Sequence, residues 1–596
     1  MKATISNKDI AKLLRECAVS YELTDPSKYR FQSLAYKKSA DAIEALSEPL
    51  TDYAARFPIE DLPGVGKSIA GHLKDLIDTG QSAHLVSVRK MIPEAVFTLI
   101  DIPGIGPKKA IKLVNSFNLT RENSLEVLRE NLLNNKVAQL DGFGEESQKD
   151  ILNSLENFIK RPPSRHHLDK AMTVSEAVVS WIKKFNSIEK VNVLGSLRRS
   201  APSIGDIDIS ISTTKPKEAF DHIVSMPGIE EVIEKGEHST SFVVDGIQVD
   251  VMVQPSDRYG SLLQHFTGSK YHNVALREYA LAKGLSLSEY GIKPLEGSKP
   301  LKLGNLEDGV YKYQSEEDFY NDLGLQFVPP ELRENRGEID LAEKNKLPRL
   351  IETVDIKADL HMHSSFDIET SHDLGAHSFE QMAEACNLKG YRFIAFTEHN
   401  PSQKAHSGDD FSKILRKKGE EIEKVQKLFP SLKLFNSLEI DITPDGTLAV
   451  PSAALDELDF ALVSIHSSFT QTKEEATERV LKALSHPKVL ILAHPTGRII
   501  GKRDGVSLDW DRVFSFCLEN RKILEINSSP DRLDLPDDLV KEAVDRGVLL
   551  SIDTDAHSLE GLDIMHFGVS QARRGWCKAK NVVNTWELPD FEALLS

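Results

Sequence analysis

The first candidates for chemistry are three aspartates in the middle of the chain. Asp206 and Asp208 are two residues apart, a spacing that places both side chains on one face of a strand. Asp250 lies within a second apolar segment, Gln248-Val249-Asp250-Val251. Buried carboxylates on neighbouring strands repel one another unless cations neutralise them. We therefore predict two Mg²⁺ ions, one activating an attacking hydroxyl and one holding a triphosphate and its leaving pyrophosphate.

A phosphate-binding segment precedes these aspartates. The segment Gly195-Ser196-Leu197-Arg198-Arg199 offers backbone N–H groups and the Ser196 hydroxyl to phosphate oxygens, while Arg199 would oppose their charge. A lone acidic pair is usually a solvated surface feature, but isoleucines flank this pair on both sides. The pattern therefore indicates a nucleotidyl-transfer site built on a core strand.

Three similar glycine turns punctuate the helical pattern of the N-terminal region. They are Leu62-Pro63-Gly64-Val65-Gly66-Lys67, Ile102-Pro103-Gly104-Ile105-Gly106-Pro107-Lys108 and Leu140-Asp141-Gly142-Phe143-Gly144. Such a turn exposes backbone N–H groups beside the N-terminus of the next helix, where the helix dipole favours an anion. A single turn could be an ordinary helix connection, but the repetition favours phosphate binding. The three turns resemble tandem helix-hairpin-helix motifs, which implies binding to the DNA backbone without reading its bases. The predicted contacts are Gly64, Gly66, Lys67, Gly104, Gly106 and Lys108.

Histidines and carboxylates recur at the ends of predicted strands from residue 359 onwards. In Asp359-Leu360-His361-Met362-His363, alternation places both imidazoles on one face. Imidazole and carboxylate ligands together favour Zn²⁺, Mn²⁺ or Fe²⁺ over Mg²⁺ alone, and two or three such ions could activate water for attack on a phosphodiester. The further candidates are Glu398, His399, Glu439, His466, His494, Asp555 and His557. An ordinary polar role is expected for His372, His377, His406, His486 and His566.

The elements that must position these residues change along the chain. Apolar residues recur at helical spacing up to about residue 160, and a helix followed by short alternating strands comes next. A polar stretch bounded by prolines begins at Pro329 and reads as a linker. From residue 353, short apolar strands alternate with helices, which predicts a parallel, barrel-like α/β domain.

Length and composition set the broad class of protein. A chain of 596 residues with 40% hydrophobic and 28% charged residues predicts several globular domains. The net charge of −18 argues against non-specific coating of nucleic acid. Four scattered cysteines exclude a disulfide scaffold and a cysteine zinc cluster. No apolar run suits a membrane span and the first residues lack the apolar core of a signal peptide, so a cytoplasmic protein is expected.

Residues 1–328 resemble a family X DNA polymerase of the DNA polymerase β type. The order matches: helix-hairpin-helix turns, fingers, a palm with the GSxRR and DxD segments, and a thumb with Phe266-Thr267-Gly268-Ser269. The resemblance implies that Asp206 and Asp208 bind both metals and that Asp250 assists deprotonation of the primer hydroxyl. The nucleotide-binding residues that it implies are Arg165, Gly195, Ser196, Arg199, Gly205, Asn273 and Arg277, where Asn273 and Arg277 face the incoming base and the template strand.

Two positions depart from the family pattern. Where the family has the lysine of its lyase activity, this chain has His72, which cannot form the stable imine with an abasic sugar. Where the family has an aromatic residue that contacts the incoming sugar, this chain has His265. Lyase activity and discrimination against ribonucleotides are therefore not implied by the resemblance.

The C-terminal region resembles the PHP (polymerase and histidinol phosphatase) domain. Its implied metal ligands are His361, His363, His399, Glu439, His466, His494, Asp555 and His557. A ninth ligand is assigned to Asp373, with Asp367 and His372 as alternatives, and Glu398 stands where aspartate is commoner. Arg498 and Arg532 are candidate phosphate contacts.

The two resemblances together cover nearly the whole chain and imply its domains. These are an N-terminal helix-hairpin-helix DNA-binding domain (1–84), helical fingers with the second and third turns (85–160), an α+β nucleotidyltransferase palm (161–255), a thumb (256–328), a linker (329–352) and a PHP phosphoesterase domain with a distorted (β/α)7 barrel (353–596).

The implied function is that of a monomeric repair polymerase that fills short gaps in DNA. It would use gapped or primed DNA and deoxynucleoside triphosphates, with Mg²⁺ or Mn²⁺ at the palm. The PHP domain, with two or three Mn²⁺ or Zn²⁺ ions, would supply 3′–5′ exonuclease and abasic-site endonuclease activity, and a monovalent cation is expected at the glycine turns. Three alternatives stay open at this point: a phosphoesterase whose polymerase half only binds DNA, a non-enzymatic repair adaptor, and a nucleotidyltransferase acting on RNA or small molecules.

Overall fold

The fold is taken from a computed structural model of the 596-residue chain. The structure describes residues 7–44, 50–62, 64–79, 81–102, 104–121, 123–160, 165–295, 300–370, 372–406 and 408–595. Pro63 and Pro103 of the glycine turns lie outside the described residues. The chain divides into two units, Met1–Ser164 and Arg165–Ser596. No helix of the described residues has the length and apolar character that a membrane crossing requires.

The first unit is built of helices, as the helical spacing predicts. Its helices are α1 Asn7–Thr24, α2 Arg30–Glu44, α3 Leu50–Arg56, α4 Lys67–Thr79, α5 Ala83–Arg89, α6 Ala95–Leu99, α7 Pro107–Phe117, α8 Ser124–Leu133 and α9 Glu145–Lys160. One apolar core forms among α1–α5, and a second forms among α6–α9 with Val19 of α1. The glycine turns precede α4, α7 and α9, so each turn opens directly onto a helix N-terminus.

The second unit begins with a five-stranded sheet in the predicted palm. Its elements are β1 His166–His167, α10 Leu168–Ile182, β2 Ile188–Val193, α11 Gly195–Arg198, β3 Ser203–Ile204, β4 Ile207–Thr213, α12 Pro216–Ile223, β5 Ile229–Lys235, β6 Ser239–Val244 and β7 Ile247–Val253. The sheet order is β2-β4-β7-β6-β5, and β1 pairs separately with β3. Only β4 and β7 run parallel within the five-stranded sheet, and Asp208 pairs with Asp250 across them.

The predicted thumb and the segment after it form one continuous packed region. Its elements are α13 Tyr259–Thr267, α14 Lys270–Ala282, β8 Leu285–Ser288, β9 Gly291–Pro294, β10 Asn305–Glu307, β11 Val310–Lys312, α15 Glu316–Asp322 and α16 Glu338–Glu343. Residues 329–352, which the sequence predicts as a linker, are well packed. Leu332, Ile339 and Ala342 belong to the apolar core of the thumb, and Arg333 and Glu338 are fully buried with charged partners. The polar composition of this segment therefore reflects paired charges.

The predicted PHP domain alternates strands and helices. Its elements are β12 Ala358–Met362, α17 Phe379–Leu388, β13 Phe393–Phe396, α18 Gly408–Gln426, β14 Lys433–Asn436, β15 Glu439–Asp441, β16 Ala461–Ser464, α19 Lys473–Leu484, β17 Val489–Leu492, α20 Trp510–Asn520, β18 Ile523–Asn527, α21 Asp537–Arg546, β19 Leu549–Asp553, α22 Met565–Arg574 and α23 Leu588–Glu592. The strands form two parallel sheets, β12-β13-β14 and β15-β16-β17-β18-β19. Parallel bridges join Met362 of β12 to Ala556, just after β19, and His399, which follows β13, to Glu439 of β15, so the two sheets contact each other at these two places.

Candidate active sites

The three aspartates lie together at the start of β4 and the middle of its parallel neighbour β7. Asp208 and Asp250 face each other across the two strands, and Asp206 lies just before β4. Burial, together with Asp206 and Asp250, raises the pKa of Asp208 to about 7, and burial with Asp250 raises the pKa of Asp206. This electrostatic strain is what divalent cations relieve, and an all-oxygen donor set suits Mg²⁺. The side chains therefore fit the metal pair that the sequence predicts.

Neighbouring polar groups hold Asp250 in place. Its carboxylate accepts a hydrogen bond from the Ser241 hydroxyl of β6, and Gln248 Nε2 lies 3.1 Å from Oδ1 and 3.0 Å from Oδ2. Gly195 lies on the other side of the cluster, where a Cβ atom would come within 2.6 Å of Asp208 Oδ2. Glycine is therefore required at this position, because a side chain would displace the carboxylate.

Two of the predicted phosphate-binding residues, Arg199 and Arg165, lie near the aspartates. Arg199 donates from Nη1 to the Thr267 carbonyl at 2.6 Å and from Nε to Glu334 at 3.1 Å. Arg165 donates from Nε to the Ser203 hydroxyl at 2.7 Å and lies beside Gly205, and its charge opposes the rise in the pKa of Asp206 that burial causes. Two guanidinium groups thus lie close to the carboxylates, where a triphosphate would be attracted.

The thumb residues are placed along α13 and α14. Asn273 accepts from Gln264 at 2.8 Å and donates to the His265 carbonyl at 2.7 Å. Arg277 is exposed one turn further along α14, and its charge adds to burial in lowering the pKa of His265. Within the described residues, no hydrogen bond joins Asn273 or Arg277 to the aspartates, so the structure leaves their nucleotide contacts as a prediction.

The three glycine turns share one backbone geometry. The first glycine of each has a positive φ, 86° at Gly64, 83° at Gly104 and 79° at Gly142. In each turn the hydrophobic residue after this glycine is buried and its N–H bonds to the carbonyl three residues earlier, at 3.0–3.1 Å. Gly66 and Gly106 lie at the starts of α4 and α7, where even an added Cβ atom would meet no other atom within 4 Å, and Lys67 and Lys108 are exposed. Each turn can therefore receive a phosphate group.

The histidine cluster of the predicted PHP domain is centred on one buried carboxylate. Glu439 Oε2 lies 2.9 Å from His399 Nδ1, 3.4 Å from His361 Nε2 and 3.6 Å from His363 Nε2. Its Oε1 lies 2.9 Å from His494 Nε2 and 3.4 Å from His466 Nε2.

Asp555 closes the cluster on the opposite side. Its Oδ1 lies 3.2 Å from His363 Nε2, 3.4 Å from His361 Nε2 and 3.8 Å from His557 Nδ1. All eight ligands that the PHP resemblance implies therefore lie around Glu439 and Asp555.

The electrostatics of this cluster fit divalent metal ions. Burial alone would raise the pKa values of Glu439 and Asp555, but the surrounding histidines hold both well below their usual range. Burial lowers the pKa of His363 to about 4, which keeps that imidazole neutral and able to ligate. The Nε2 atoms of His361, His363 and His557 are buried without a hydrogen-bond partner in the described structure, as expected for nitrogens that would face a metal. Three groups of these side chains, and a fourth that includes His372, each bring three ligand atoms within 4.8 Å of one another.

The three candidates for the ninth ligand occupy different places. Asp373 lies 3.5 Å from His399 Nε2 and 3.5 Å from His557 Nε2, at the open side of the cluster. His372, for which an ordinary polar role was also expected, lies against the cluster and binds Asp441 at 2.9 Å. Asp367 accepts from the N–H of Glu369 at 2.8 Å, and among the described residues it has no ion pair with these histidines.

Two carboxylates that the sequence interpretation missed orient the histidines from behind. Glu525 Oε1 lies 2.6 Å from His361 Nδ1, and Asp441 Oδ1 lies 2.7 Å from His466 Nδ1. Such partners fix which imidazole nitrogen faces a metal. Glu525 is an acid within the apolar strand β18, the signal that identified Asp208, and it could have been found in the same way. Asp441 ends the short strand Glu439–Asp441, which carries no such signal.

The remaining candidates lie outside the cluster. Glu398 is buried against Lys418 Nζ at 2.6 Å and the Ser364 hydroxyl at 2.7 Å, and Asp359 accepts from the Thr554 hydroxyl at 2.5 Å. Arg532 lies close enough to His494 to lower its pKa further after burial, whereas Arg498 donates to the Arg532 carbonyl at 2.8 Å. Arg532 is therefore at the rim of the cluster, and Arg498 supports the loop that carries it.

Comparison with known proteins finds three family models along the chain. Family models match a helix-hairpin-helix domain at residues 5–82, the DNA polymerase beta thumb at residues 262–334 and a PHP domain at residues 359–529. The DNA polymerase/3′-5′ exonuclease PolX of Bacillus subtilis (strain 168) is 35% identical over 591 residues, covering 99% of both chains. The chain therefore belongs to the family X DNA polymerases with a C-terminal PHP domain, which confirms the resemblance drawn from its motifs.

Two further relatives each match one part of the chain. The DNA polymerase lambda of Rattus norvegicus is 24% identical over 356 residues, covering 56% of this chain and 57% of its own length. A probable phosphatase of Acetivibrio thermocellus is 26% identical over 178 residues, covering 28% of this chain and 64% of its own length.

Proposed function

We propose that this protein is a DNA repair polymerase that fills short gaps and removes nucleotides from 3′ ends. The single observation that carries the polymerase half is the pairing of Asp208 with Asp250 across β4 and β7, beside Asp206 and two guanidinium groups. The full-length likeness to a DNA polymerase/3′-5′ exonuclease supports both halves. The alternatives of a phosphoesterase whose polymerase half only binds DNA and of a non-enzymatic adaptor have less support, because the three aspartates lie together in the palm and the histidines lie together in the PHP domain.

In the palm, we assign Asp206, Asp208 and Asp250 to two Mg²⁺ or Mn²⁺ ions. Bound there, the ions would lower the pKa of the primer 3′-hydroxyl and neutralise the leaving pyrophosphate. Asp250, oriented by Ser241 and Gln248, would take part in removing the hydroxyl proton.

The triphosphate would lie along Gly195, Ser196 and Gly205, opposite the charges of Arg165 and Arg199. Gly195 lies against Asp208 and Gly205 lies beside Arg165, which supports this placement. Asn273 and Arg277 would face the incoming base and the template strand from α14.

In the PHP domain, we assign two or three Mn²⁺ or Zn²⁺ ions to one set of ligands. The set is His361, His363, Asp373, His399, Glu439, His466, His494, Asp555 and His557. Ions held there would generate the nucleophile for hydrolysis of a 3′-terminal phosphodiester or of an abasic-site linkage. Arg532 would contact the phosphate from the rim, with Arg498 behind it.

The domain boundaries predicted from the sequence are kept as part of this proposal, with a distorted (β/α)7 barrel for the PHP domain. Only Ser437 and Leu438 separate β14 from β15, so the eight strands count as seven if these two are one interrupted strand. The two parallel bridges between the sheets support a closed arrangement.

The partners would be gapped or primed DNA and deoxynucleoside triphosphates, bound by a monomer in the cytoplasm. The turns around Gly64–Lys67 and Gly104–Lys108 would hold the DNA backbone without reading its bases. A monovalent cation at these turns is part of the same proposal, and the first turn lies within the helix-hairpin-helix match at residues 5–82.

The direct test uses gapped and 3′-mismatched DNA with Mg²⁺ or Mn²⁺, each with and without deoxynucleotides. We expect the full chain to extend the primer when nucleotides are present and to shorten the 3′ end when they are absent. Asp208→Asn should abolish extension and keep trimming, while His494→Ala should abolish trimming and keep extension. The absence of extension by the wild type, or full extension by Asp208→Asn, would overturn the polymerase assignment.

A further inference from the structure

The guanidinium group of Arg199 is held on two of its edges. Nη1 donates to the Thr267 carbonyl at 2.6 Å and Nε donates to Glu334 Oε1 at 3.1 Å. Nη2 forms no hydrogen bond with the described residues, although the side chain is only 14% exposed. A fixed guanidinium with one remaining donor edge is suited to a phosphate oxygen at a set position.

The partner that fixes Arg199 is itself held from the PHP domain. Arg574, the last residue of α22, donates from Nη1 to Glu334 Oε1 at 3.0 Å and to the Arg199 carbonyl at 2.9 Å. Its Nη2 donates to Asp537 of α21 at 3.0 Å. Arg574 therefore contacts both the backbone of Arg199 and the carboxylate that orients its side chain.

The carboxylate of Glu334 is shared between Arg574 and Arg199, and this sharing affects how Arg199 could bind a nucleotide. Burial alone would raise the pKa of Glu334, but Arg574 and Arg199 lower it, so one carboxylate faces two guanidinium groups. Without Arg574, the same carboxylate would pair with Arg199 alone and would neutralise more of its charge. Arg574 thus keeps Arg199 both oriented and electropositive.

We infer that Arg574 and Glu334 are positioning residues for the polymerase reaction, through which the PHP domain completes the triphosphate site at Arg199. This inference rests on the proposed polymerase function and on the nucleotide role of Arg199. It assigns the PHP domain a part in DNA synthesis that is separate from its own histidine cluster, since Arg574 lies on α22 and makes no contact with that cluster among the described residues.

The chain offers a matched control in the adjacent residue. Arg573 also joins α22 to the segment after the thumb, through Glu331 at 2.8 Å and the Ile351 carbonyl at 2.9 Å, but it does not touch Arg199 or Glu334. Arg573→Gln and Arg574→Gln each remove one charge and one ion pair that joins α22 to the segment after the thumb, and Arg574→Gln also removes the ion pair with Asp537 of α21. A loss of gap filling in Arg574→Gln alone, with trimming unchanged, therefore reports the contacts with Glu334 and Arg199.

The experiment measures gap filling by the full chain with Mg²⁺ and increasing deoxynucleotide, and 3′ trimming by the same preparations with Mn²⁺. For Arg574→Gln we expect kcat/KM for the nucleotide to fall about ten- to hundredfold, mainly through KM, while trimming stays within about twofold of the wild type. Arg573→Gln should keep the wild-type kcat/KM. Glu334→Gln removes the negative charge that Arg199 and Arg574 share, and it should also raise KM. This variant tests the inference in the case in which Arg574→Gln does not fold.

The outcomes separate this inference from the function on which it rests. Equal kcat/KM values for Arg573→Gln and for both Arg574→Gln and Glu334→Gln would overturn the inference and leave the polymerase function standing. A parallel loss of gap filling and trimming in Arg574→Gln and Glu334→Gln would also overturn it, because that result indicates a purely structural role. A wild-type chain that trims but does not fill gaps would overturn the proposed function first.

Discussion

At the scale of single residues, the buried Glu525 decides which nitrogen of His361 faces the histidine cluster. Its Oε1 lies 2.6 Å from His361 Nδ1, which leaves Nε2 directed at Glu439 and Asp555. Burial raises the pKa of Glu525 to about 7. The nearby His361 lowers this pKa and so favours the ionised carboxylate, whereas Asp553 and Asp555 raise it further. Glu525 and His361 therefore form a carboxylate–imidazole pair of the kind that supports metal ligands.

We predict that Glu525→Gln weakens the PHP metal site without affecting synthesis. A neutral amide orients His361 less strongly, so the Mn²⁺ concentration that half-saturates 3′ trimming should rise about ten- to hundredfold. A titration of trimming with Mn²⁺ measures this shift. Glu519→Gln removes the same charge from an exposed position and should match the wild type. An unchanged Mn²⁺ dependence in Glu525→Gln would contradict the role given to this residue.

The sequence predicted the candidate metal ligands of both sites better than the neighbouring residues that orient those ligands. Asp206, Asp208 and Asp250 were found because acids in an apolar strand need a reason to be there, and the structure brings them together. Glu525 carries the same signal, but its role depends on which histidines lie beside it. Only the folded arrangement, which brings His361 of β12 and His494 after β17 to Glu525, decides that. The choice among the ninth-ligand candidates depends on the path of a loop, which residue spacing does not determine.

At the scale of elements, a buried histidine joins three helices of the thumb. His272 of α14 lies 2.7 Å from Glu338 of α16 through Nδ1 and 2.9 Å from the Tyr320 hydroxyl of α15 through Nε2. Burial lowers the pKa of His272, and the nearby Arg333 lowers it further, whereas Glu338 and Glu334 act in the opposite direction. The balance keeps this histidine neutral in the folded thumb to a lower pH than in the unfolded chain.

This shift predicts a loss of stability in acid. Between the lowered pKa of the folded state and about 6.5, the unfolded chain binds a proton that the folded chain does not, so stability falls as the pH falls through that range. His272→Gln should remove this part of the pH dependence. Thermal unfolding of the wild type and of His272→Gln between pH 5 and 8 measures this effect. The difference in Tm between the two proteins should become smaller as the pH falls. The exposed His238→Gln serves as the control, and a constant gap would contradict the assignment.

Helices and strands could be predicted from the sequence where apolar residues recur at regular spacing. Short apolar strands alternating with helices predicted the parallel sheets from β12 onwards, and repeated glycine turns predicted three helix N-termini of one geometry. The packing of residues 329–352 was not predictable from composition, because a segment rich in charged residues reads as solvated. Its charges are instead paired inside the thumb and against α22, as Arg333 with Glu316 and Glu331 with Arg573 show.

At the scale of the second unit, the PHP domain shares apolar cores with the palm and the thumb. Phe567 of α22 and Leu533 belong to the core that holds β4 and β7, and Trp576 belongs to the core of the thumb. His167 of β1 adds a polar contact, with Nδ1 2.5 Å from Asp531 Oδ1. Shared cores of this kind make the unfolding of neighbouring domains cooperative, since neither can lose its packing without exposing apolar surface of the other.

We therefore predict that a cavity at Phe567 loosens the palm as well as the PHP domain. Phe567 is 6% exposed, and truncation of such a residue to alanine costs about 3–5 kcal/mol. Hydrogen–deuterium exchange of Phe567→Ala should rise in peptides covering β4 and β7 and in those covering α22, because all three line the same core. Leu388→Ala, a truncation at a side chain that is 80% exposed, should leave all three unchanged. Faster exchange confined to α22 would show that the palm keeps its core without the PHP domain. The shared core would then not be what couples the palm to the PHP domain.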